Sequence, residues 1–363
     1  MPMRPRTGVR PSVLVIKEIM NEKTLFTALV TAEQRQAYTV WLDGRELPAV
    51  VAGKLMGEAA GRLHYPVGGD SVSVTLHDDG AKAVVHAVLP RRSLLLRKAV
   101  GAQGDAQPLA ANVDKVLIVM GLDGNYNIAR LERLLVAAWD SGGVPVVVLT
   151  KKDLAPAEEL PEKLAAVAAA APGVGVFCVS SLSGEGVEEV EHALAGGLRC
   201  CLLGSSGAGK STLLNRLAGL EAAPTGAVRE GDARGRHTTT ARHLYFLPCG
   251  GQVIDTPGVR EFCVEYSGTG LEASFSDIEA LAAGCRFDDC AHEAEPGCAV
   301  QAALAAGTLS PDRLKSYNKL RRETRRLELK ADPKQRLLAK RRFMIQAHMR
   351  RGVCEAKRKL RGG

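Results

Sequence analysis

The residues with the clearest chemistry are Gly204, Ser205, Ser206, Gly207, Ala208, Gly209, Lys210 and Ser211, followed by Thr212. They fit GxxxxGK[ST], with an apolar run before the motif and a helical stretch from Ser211 to Leu217 after it. In that setting the N–H groups from Ser206 to Lys210 can encircle a β-phosphate at a helix N-terminus. Lys210 can reach the β- and γ-phosphates, and the Ser211 hydroxyl can ligate Mg2+. This is the chemistry of a nucleoside triphosphate site.

A second constellation names the base. Thr150, Lys151, Lys152 and Asp153 follow an apolar run, and a carboxylate at Asp153 can accept from both N1–H and the exocyclic amine of guanine. Adenine lacks that donor pair, so a buried Asp153 would be left unpaired at a cost of about 1–3 kcal/mol. The Lys151 stem is expected to cover the ring plane. Ser180 and Ser181, ahead of Leu182, are placed to offer a backbone N–H to guanine O6. An ATP-using protein with the same phosphate loop would leave Asp153 and this serine segment unexplained. The guanine motif precedes the phosphate loop, the reverse of the Ras-like order, so the nucleotide domain reads as circularly permuted.

Downstream, Ile254-Asp255-Thr256-Pro257-Gly258 closes an apolar strand. Asp255 is expected to hold a water on Mg2+, and the Gly258 N–H to sense the γ-phosphate. Between the loop and this strand lies Arg234-Gly235-Arg236-His237-Thr238-Thr239-Thr240, which suits a switch. One of its threonines is expected to complete the Mg2+ shell; the spacing does not single one out, and Thr239 is carried forward with Lys210 and His237 as the catalytic set. Val259 stands where Ras-like enzymes place a glutamine, and valine cannot orient water. His237 is the candidate replacement, with a structural or RNA-contacting histidine as the alternative.

Cys285, Cys290, His292 and Cys298 form C-x4-C-x-H-x5-C. Three thiolates and an imidazole make a closed tetrahedral zinc site with no open position, hence a structural one. The other six cysteines show no such spacing and read as core or incidental.

Elements that position these groups are visible as period. From about Thr24 to Leu89 the pattern alternates, most clearly in Asp70 to His77, with turn signals at Asp43-Gly44 and Asp79-Gly80. About five short strands there suit an OB-fold barrel. Arg91 to Lys98 reads as a basic linker. From Val113 onward, apolar strands alternate with helical stretches, which implies a mostly parallel sheet with each motif at a strand's C-terminal end. Ser310-Pro311-Asp312 is a helix start, leading into a Lys/Arg-rich tail.

The net charge of +8 is unevenly distributed: residues 311–363 hold 19 of the 48 Lys/Arg and 5 of the 40 Asp/Glu, so the rest of the chain is acidic. A basic tail on an acidic body suits docking onto RNA phosphates, a solvated helical tail being the plainer reading. The apolar run near the start, Val13 to Ile16, is too short for a signal peptide or membrane span. Nine cysteines without a disulfide pattern agree with a cytoplasmic location and with no membrane partner.

Taken in order, the barrel, the guanine motif, the phosphate loop, the Gly-Arg-His-Thr-Thr-Thr segment, Asp-Thr-Pro-Gly and the Cys/Cys/His/Cys module resemble the RsgA (YjeQ) family. Pro90-Arg91-Arg92-Ser93, Ala111-Asn112-Val113-Asp114 and Thr225-Gly226 resemble it too. The resemblance implies a circularly permuted α/β P-loop GTPase domain with an N-terminal all-β OB-fold barrel and a C-terminal zinc-binding helical domain. The expected divisions are an extension at 1–23, the barrel with its linker at 24–98, the GTPase at 99–268, the zinc domain at 269–329 and the tail at 330–363. It further implies GTP, Mg2+ and one structural Zn2+, and a monomer acting in late maturation of the small ribosomal subunit. That protein would contact ribosomal RNA and be released by subunit-stimulated GTP hydrolysis. The alternative is an RNA-binding scaffold with a GTP-controlled switch and little hydrolysis of its own. Thr150 departs from the usual asparagine of the guanine motif, which removes one amide contact to the base.

Overall fold

The computed structural model describes residues 18–20, 23–34, 37–59, 61–98, 106–220, 242–255, 268–293 and 295–331. The first strands are β1 (Glu18–Met20), β2 (Lys23–Gln34), β3 (Ala37–Leu42) and β4 (Arg45–Val51). A short helix α1 (Gly53–Glu58) precedes β5 (Ser71–His77) and β6 (Lys82–Val88). Pairing runs β2-β3-β4-β6-β5 and back to β2, with β4 and β6 parallel, so five strands close into a barrel around Val30, Val40, Val72, Val74 and Val85. The β3–β4 turn uses Asp43 and Gly44 at φ 49° and 84°, as the Asp-Gly signal requires.

The stretch expected to be a basic linker is built into the fold. Strand β7 (Leu94–Lys98) pairs antiparallel with β8 (Ala106–Ala111). Arg91 lies across the barrel mouth, its Nε and Nη2 donating to the two carboxylate oxygens of Asp70 at 2.8 and 2.7 Å. Asp70 is fully buried and also accepts from the Val67 N–H. The charges read as a linker because Asp70, the partner of Arg91, is distant in sequence.

The second sheet follows the expected alternation: β9 (Lys115–Gly121), α2 (Ile128–Asp140), β10 (Val144–Thr150), α3 (Leu160–Ala170), β11 (Gly175–Cys178), α4 (Val187–Leu194), β12 (Arg199–Leu203), α5 (Lys210–Leu217), β13 (Arg242–Phe246) and β14 (Gln252–Asp255). Strand order is β11-β10-β9-β12-β14-β13, all parallel except β13. The chain winds outward from β9 to β11, then returns to β12 on the other side of β9. Leu131, Leu134 and Leu135 of α2 pack on one face of the sheet; Val190, Leu194, Leu213 and Leu217 of α4 and α5 pack on the other. Each fully buried leucine contributes about 1.5–3 kcal/mol. The crevice at the strand-order reversal, between the ends of β9 and β12, is the ligand position in such sheets.

The barrel is docked onto this sheet. β2 pairs with β13, Trp41 packs against Phe246 with ring centroids 4.7 Å apart, and the Gly69 carbonyl accepts from Arg199 Nη1 at 2.7 Å and Asn112 Nδ2 at 3.1 Å. Gly69 sits at φ 92°, where a Cβ would lie 2.3 Å from the Ala111 carbonyl oxygen, so only glycine fits. Finally α6 (Thr269–Ser274), α7 (Ser276–Ala282), α8 (Ala299–Ala305) and α9 (Pro311–Ala331) gather around Phe275, Ile278, Tyr317 and Leu320 against Val136 and Ala137 of α2. Among the described residues, no helix is long and apolar enough to cross a membrane.

Removing Arg91 would leave the Asp70 carboxylate buried and unpaired. Arg91→Ala is expected to lower stability by about 3 kcal/mol in urea unfolding followed by tryptophan fluorescence. A loss under about 1 kcal/mol would show that the pair does not hold the barrel.

Candidate nucleotide site and metal centre

The expected phosphate loop joins β12 to α5. Gly204, Gly207 and Gly209 have φ of 154°, 76° and 90°, so the loop turns tightly into the N-terminus of α5, the end of a helix that suits an anion. A Cβ on Gly204 would meet the Val119 carbonyl oxygen at 2.3 Å, which fixes how close the loop lies to β9. Lys210 Nζ donates to the Gly204 and Ser205 carbonyls, both at 2.7 Å. Burial lowers its pKa, and the nearby Asp255 carboxylate opposes the shift. Ser211 and Thr212 open α5, and Asp255 ends β14 next to β12.

Thr150, Lys151, Lys152 and Asp153 follow β10. Thr150 is buried, and its hydroxyl donates to the Ala208 carbonyl at 2.5 Å. The side chain that replaces the usual asparagine thus ties the guanine motif to the phosphate loop instead of pointing at a base. Lys151 adopts φ 60° and its ammonium pairs with Asp123 at 2.6 Å, which ties the end of β10 to the segment after β9 and holds the Asp123 carboxyl below its ordinary pKa. Lys152 pairs with Glu185. Ser180 donates to Asp153 Oδ1 at 2.6 Å, leaving Oδ2 available to a ligand. The Ser181 hydroxyl beside it is buried and has no partner among the described residues. Asp153 is exposed, so its free carboxylate oxygen is open to solvent and within reach of a ligand, while the buried Ser181 hydroxyl is the polar group left without a partner.

Sequence reasoning missed two residues here. Asn125 and Arg130, in the β9–α2 segment, bond to Ser205 and Ser206. Their only signal is position, since the loop after β9 borders the crevice. His237, Thr239, Gly258 and Val259 lie outside the described residues.

The strand ends carrying these groups have a counterpart in known proteins. A family model described as RsgA GTPase matches residues 88–265. Small ribosomal subunit biogenesis GTPase RsgA 2 of Lactiplantibacillus plantarum is 44% identical over 306 residues, covering 84% of this chain and 85% of that protein. The chain belongs to the RsgA GTPase family. A Streptomyces avermitilis protein, small ribosomal subunit biogenesis GTPase RsgA, is 47% identical over 78% of this chain and 77% of its own length. The crystal structure of YjeQ from Thermotoga maritima has 25% identity and a TM-score of 0.63, covering 83% of this chain and 98% of that one. YloQ, described as a circularly permuted GTPase, shares the fold with a TM-score of 0.60 at 22% identity. The chain is therefore a circularly permuted GTP hydrolase that uses GTP and Mg2+.

The metal centre is separate. Cys285, Cys290, His292 and Cys298 bring their ligand atoms within 4.8 Å of one another. The Sγ atoms of Cys285 and Cys298 are 3.8 Å apart, and His292 Nδ1 lies 3.7 and 3.5 Å from them. A tetrahedron with Zn–S arms of about 2.3 Å has edges of about 3.8 Å, so the donor set fits one zinc ion. Burial and the Arg321 cation lower the His292 pKa, favouring the neutral ring that a metal needs. Cys200 and Cys201 instead point into the sheet core, where burial pushes the Cys201 thiol up to about 12.

Two outcomes follow from this geometry. Cys298→Ser should reduce bound zinc from one ion per chain to near none, measured on purified protein, and should lower Tm because Cys298 also lies in the core of the helical module. Full retention of zinc would exclude the assignment. Asp153→Asn should weaken GTP binding by about 1–3 kcal/mol and narrow the preference for GTP over ATP in competition titrations. Unchanged preference would remove Asp153 from base reading.

Proposed function

We propose that the chain binds the small ribosomal subunit through its ribosomal RNA late in subunit maturation, in the cytoplasm and as a monomer, and that GTP hydrolysis drives its release. The observation that carries this reading is the joining of a nucleotide site to a barrel and a zinc module in a chain whose relatives are named for small-subunit biogenesis. The Arg325 and Arg326 side chains of α9 supply exposed cations for phosphates, beside Arg322, which pairs with Glu293. The tail from 332 onward lies outside the described residues.

Roles at the site are assigned on the same basis. Asp153 reads the guanine edge and is oriented by Ser180, Lys151 covers the ring, and the Ser181 segment faces O6. The N–H groups from Ser206 to Lys210 hold the β-phosphate, and Lys210 exchanges its loop carbonyls for β- and γ-phosphate oxygens. Ser211 and Asp255 would hold Mg2+, which when bound would supply positive charge beside the phosphates. Gly258 senses the γ-phosphate, Thr239 completes the metal shell and His237 orients the attacking water. The zinc module is structural.

Phosphate release under multiple turnover, with and without purified small subunits, tests the reading. Turnover is expected to rise at least tenfold with subunits, and His237→Ala to abolish most of that rise. Flat kinetics in both conditions would favour the scaffold alternative.

A further inference from the structure

The outer arch of the phosphate loop, Ser205 and Ser206, lies between Gly204 and Gly207, both at positive φ. Such a segment has little shape of its own and needs anchors. One anchor is Lys210, whose ammonium donates to the carbonyls of Gly204 and Ser205. That anchor is released when the ammonium turns to phosphate.

The other anchor comes from the β9–α2 segment. Ser205 Oγ donates to Asn125 Oδ1 at 2.6 Å, and Asn125 Nδ2 donates to the Ser206 carbonyl at 3.1 Å. Arg130 Nη1 donates to Ser205 Oγ at 2.8 Å and to Asn125 Oδ1 at 3.2 Å. Asn127 caps α2 by accepting from the Arg130 N–H at 2.8 Å, which sets the first turn from which the guanidinium reaches the loop. Among the described residues Arg130 has no carboxylate partner, so its hydrogen bonds go to neutral oxygens at the lip of an anion site.

We propose that Asn125 and Arg130 are positioning residues for GTP hydrolysis, acting through Ser205 and Ser206 to hold the outer arch in the shape that meets the γ-phosphate. Of the N–H groups assigned to the β-phosphate, those from Gly207 to Lys210 lie beyond the clamped pair, so only Ser206 links that phosphate to Asn125 and Arg130. GDP binding should therefore survive its loss while turnover does not. The inference rests on GTP hydrolysis alone, so its failure would leave the ribosomal reading standing.

The test is GTP hydrolysis by the full chain at saturating GTP, alongside GDP affinity. Arg130→Met and Asn125→Ala should each lower kcat about tenfold and change GDP affinity by less than about threefold. The double variant should be no worse than about threefold below either, as expected of residues acting as a unit, and Arg130→Lys should recover most of the loss. Both side chains lie outside the apolar cores, so folding is expected to persist. Turnover within twofold of the unsubstituted chain in both single variants would overturn the proposal. So would GDP affinity falling in step with kcat, which marks a general structural defect.

Discussion

The constraint on which the molecule depends is that α2 must bury two faces at once. Leu131, Leu134 and Leu135 turn towards the sheet, while Val136 and Ala137 enter the core of the zinc module. Glu132 would be costly in that second interface but for Arg313, whose guanidinium bonds Glu132 at 2.8 Å and Asp277 at 2.6 Å, with the Ser274 and Ala170 carbonyls taking further donors. Even so, burial raises the Glu132 pKa. The pair is satisfied in geometry, and it fixes how the helical module sits on the GTPase sheet. Arg133 adds a more exposed bond to Glu323 on α9.

Parallel winding explains why distant residues share a site. β9, β10, β11, β12 and β14 all point the same way, so Arg130, Asp153, Ser180, Lys210 and Asp255 come from separate stretches and still reach one edge. Circular permutation changes the order in which the chain visits those strand ends without moving them. The hydroxyl of Thr150 on the Ala208 carbonyl shows how adjacent motifs support one another: base-reading and phosphate-binding loops share a hydrogen bond inside the protein.

The legible parts of the sequence were those whose chemistry is local. The phosphate loop, the strand before it, the Asp-Gly turns and the Cys/Cys/His/Cys spacing each specify geometry within a few residues. What could not be read depended on distance. Arg91 looked like linker charge because its carboxylate lies 21 residues earlier, and the Asn125 contact to Ser205 spans 80 residues. Helix α3 is harder to read for a different reason: Leu160, Leu164 and Val167 make a stripe at helical spacing that packs on the core, but alanines on every side blur its edges. The five residues of β13 were too few to show a period beside the glycine-rich stretch before them.

The pairing of β13 with the barrel strand β2 has a consequence for solubility. An α/β sheet ordinarily ends in a row of unpaired backbone groups that can template association with another copy. Here the start of the antiparallel outer strand, Arg242 and His243, is paired with the chain's own barrel, and the barrel is closed through β2 and β5. The opposite margin, β11, is only four residues long. Among the described residues, the arrangement that docks the barrel therefore also shortens the edge of the large sheet on which self-assembly can start.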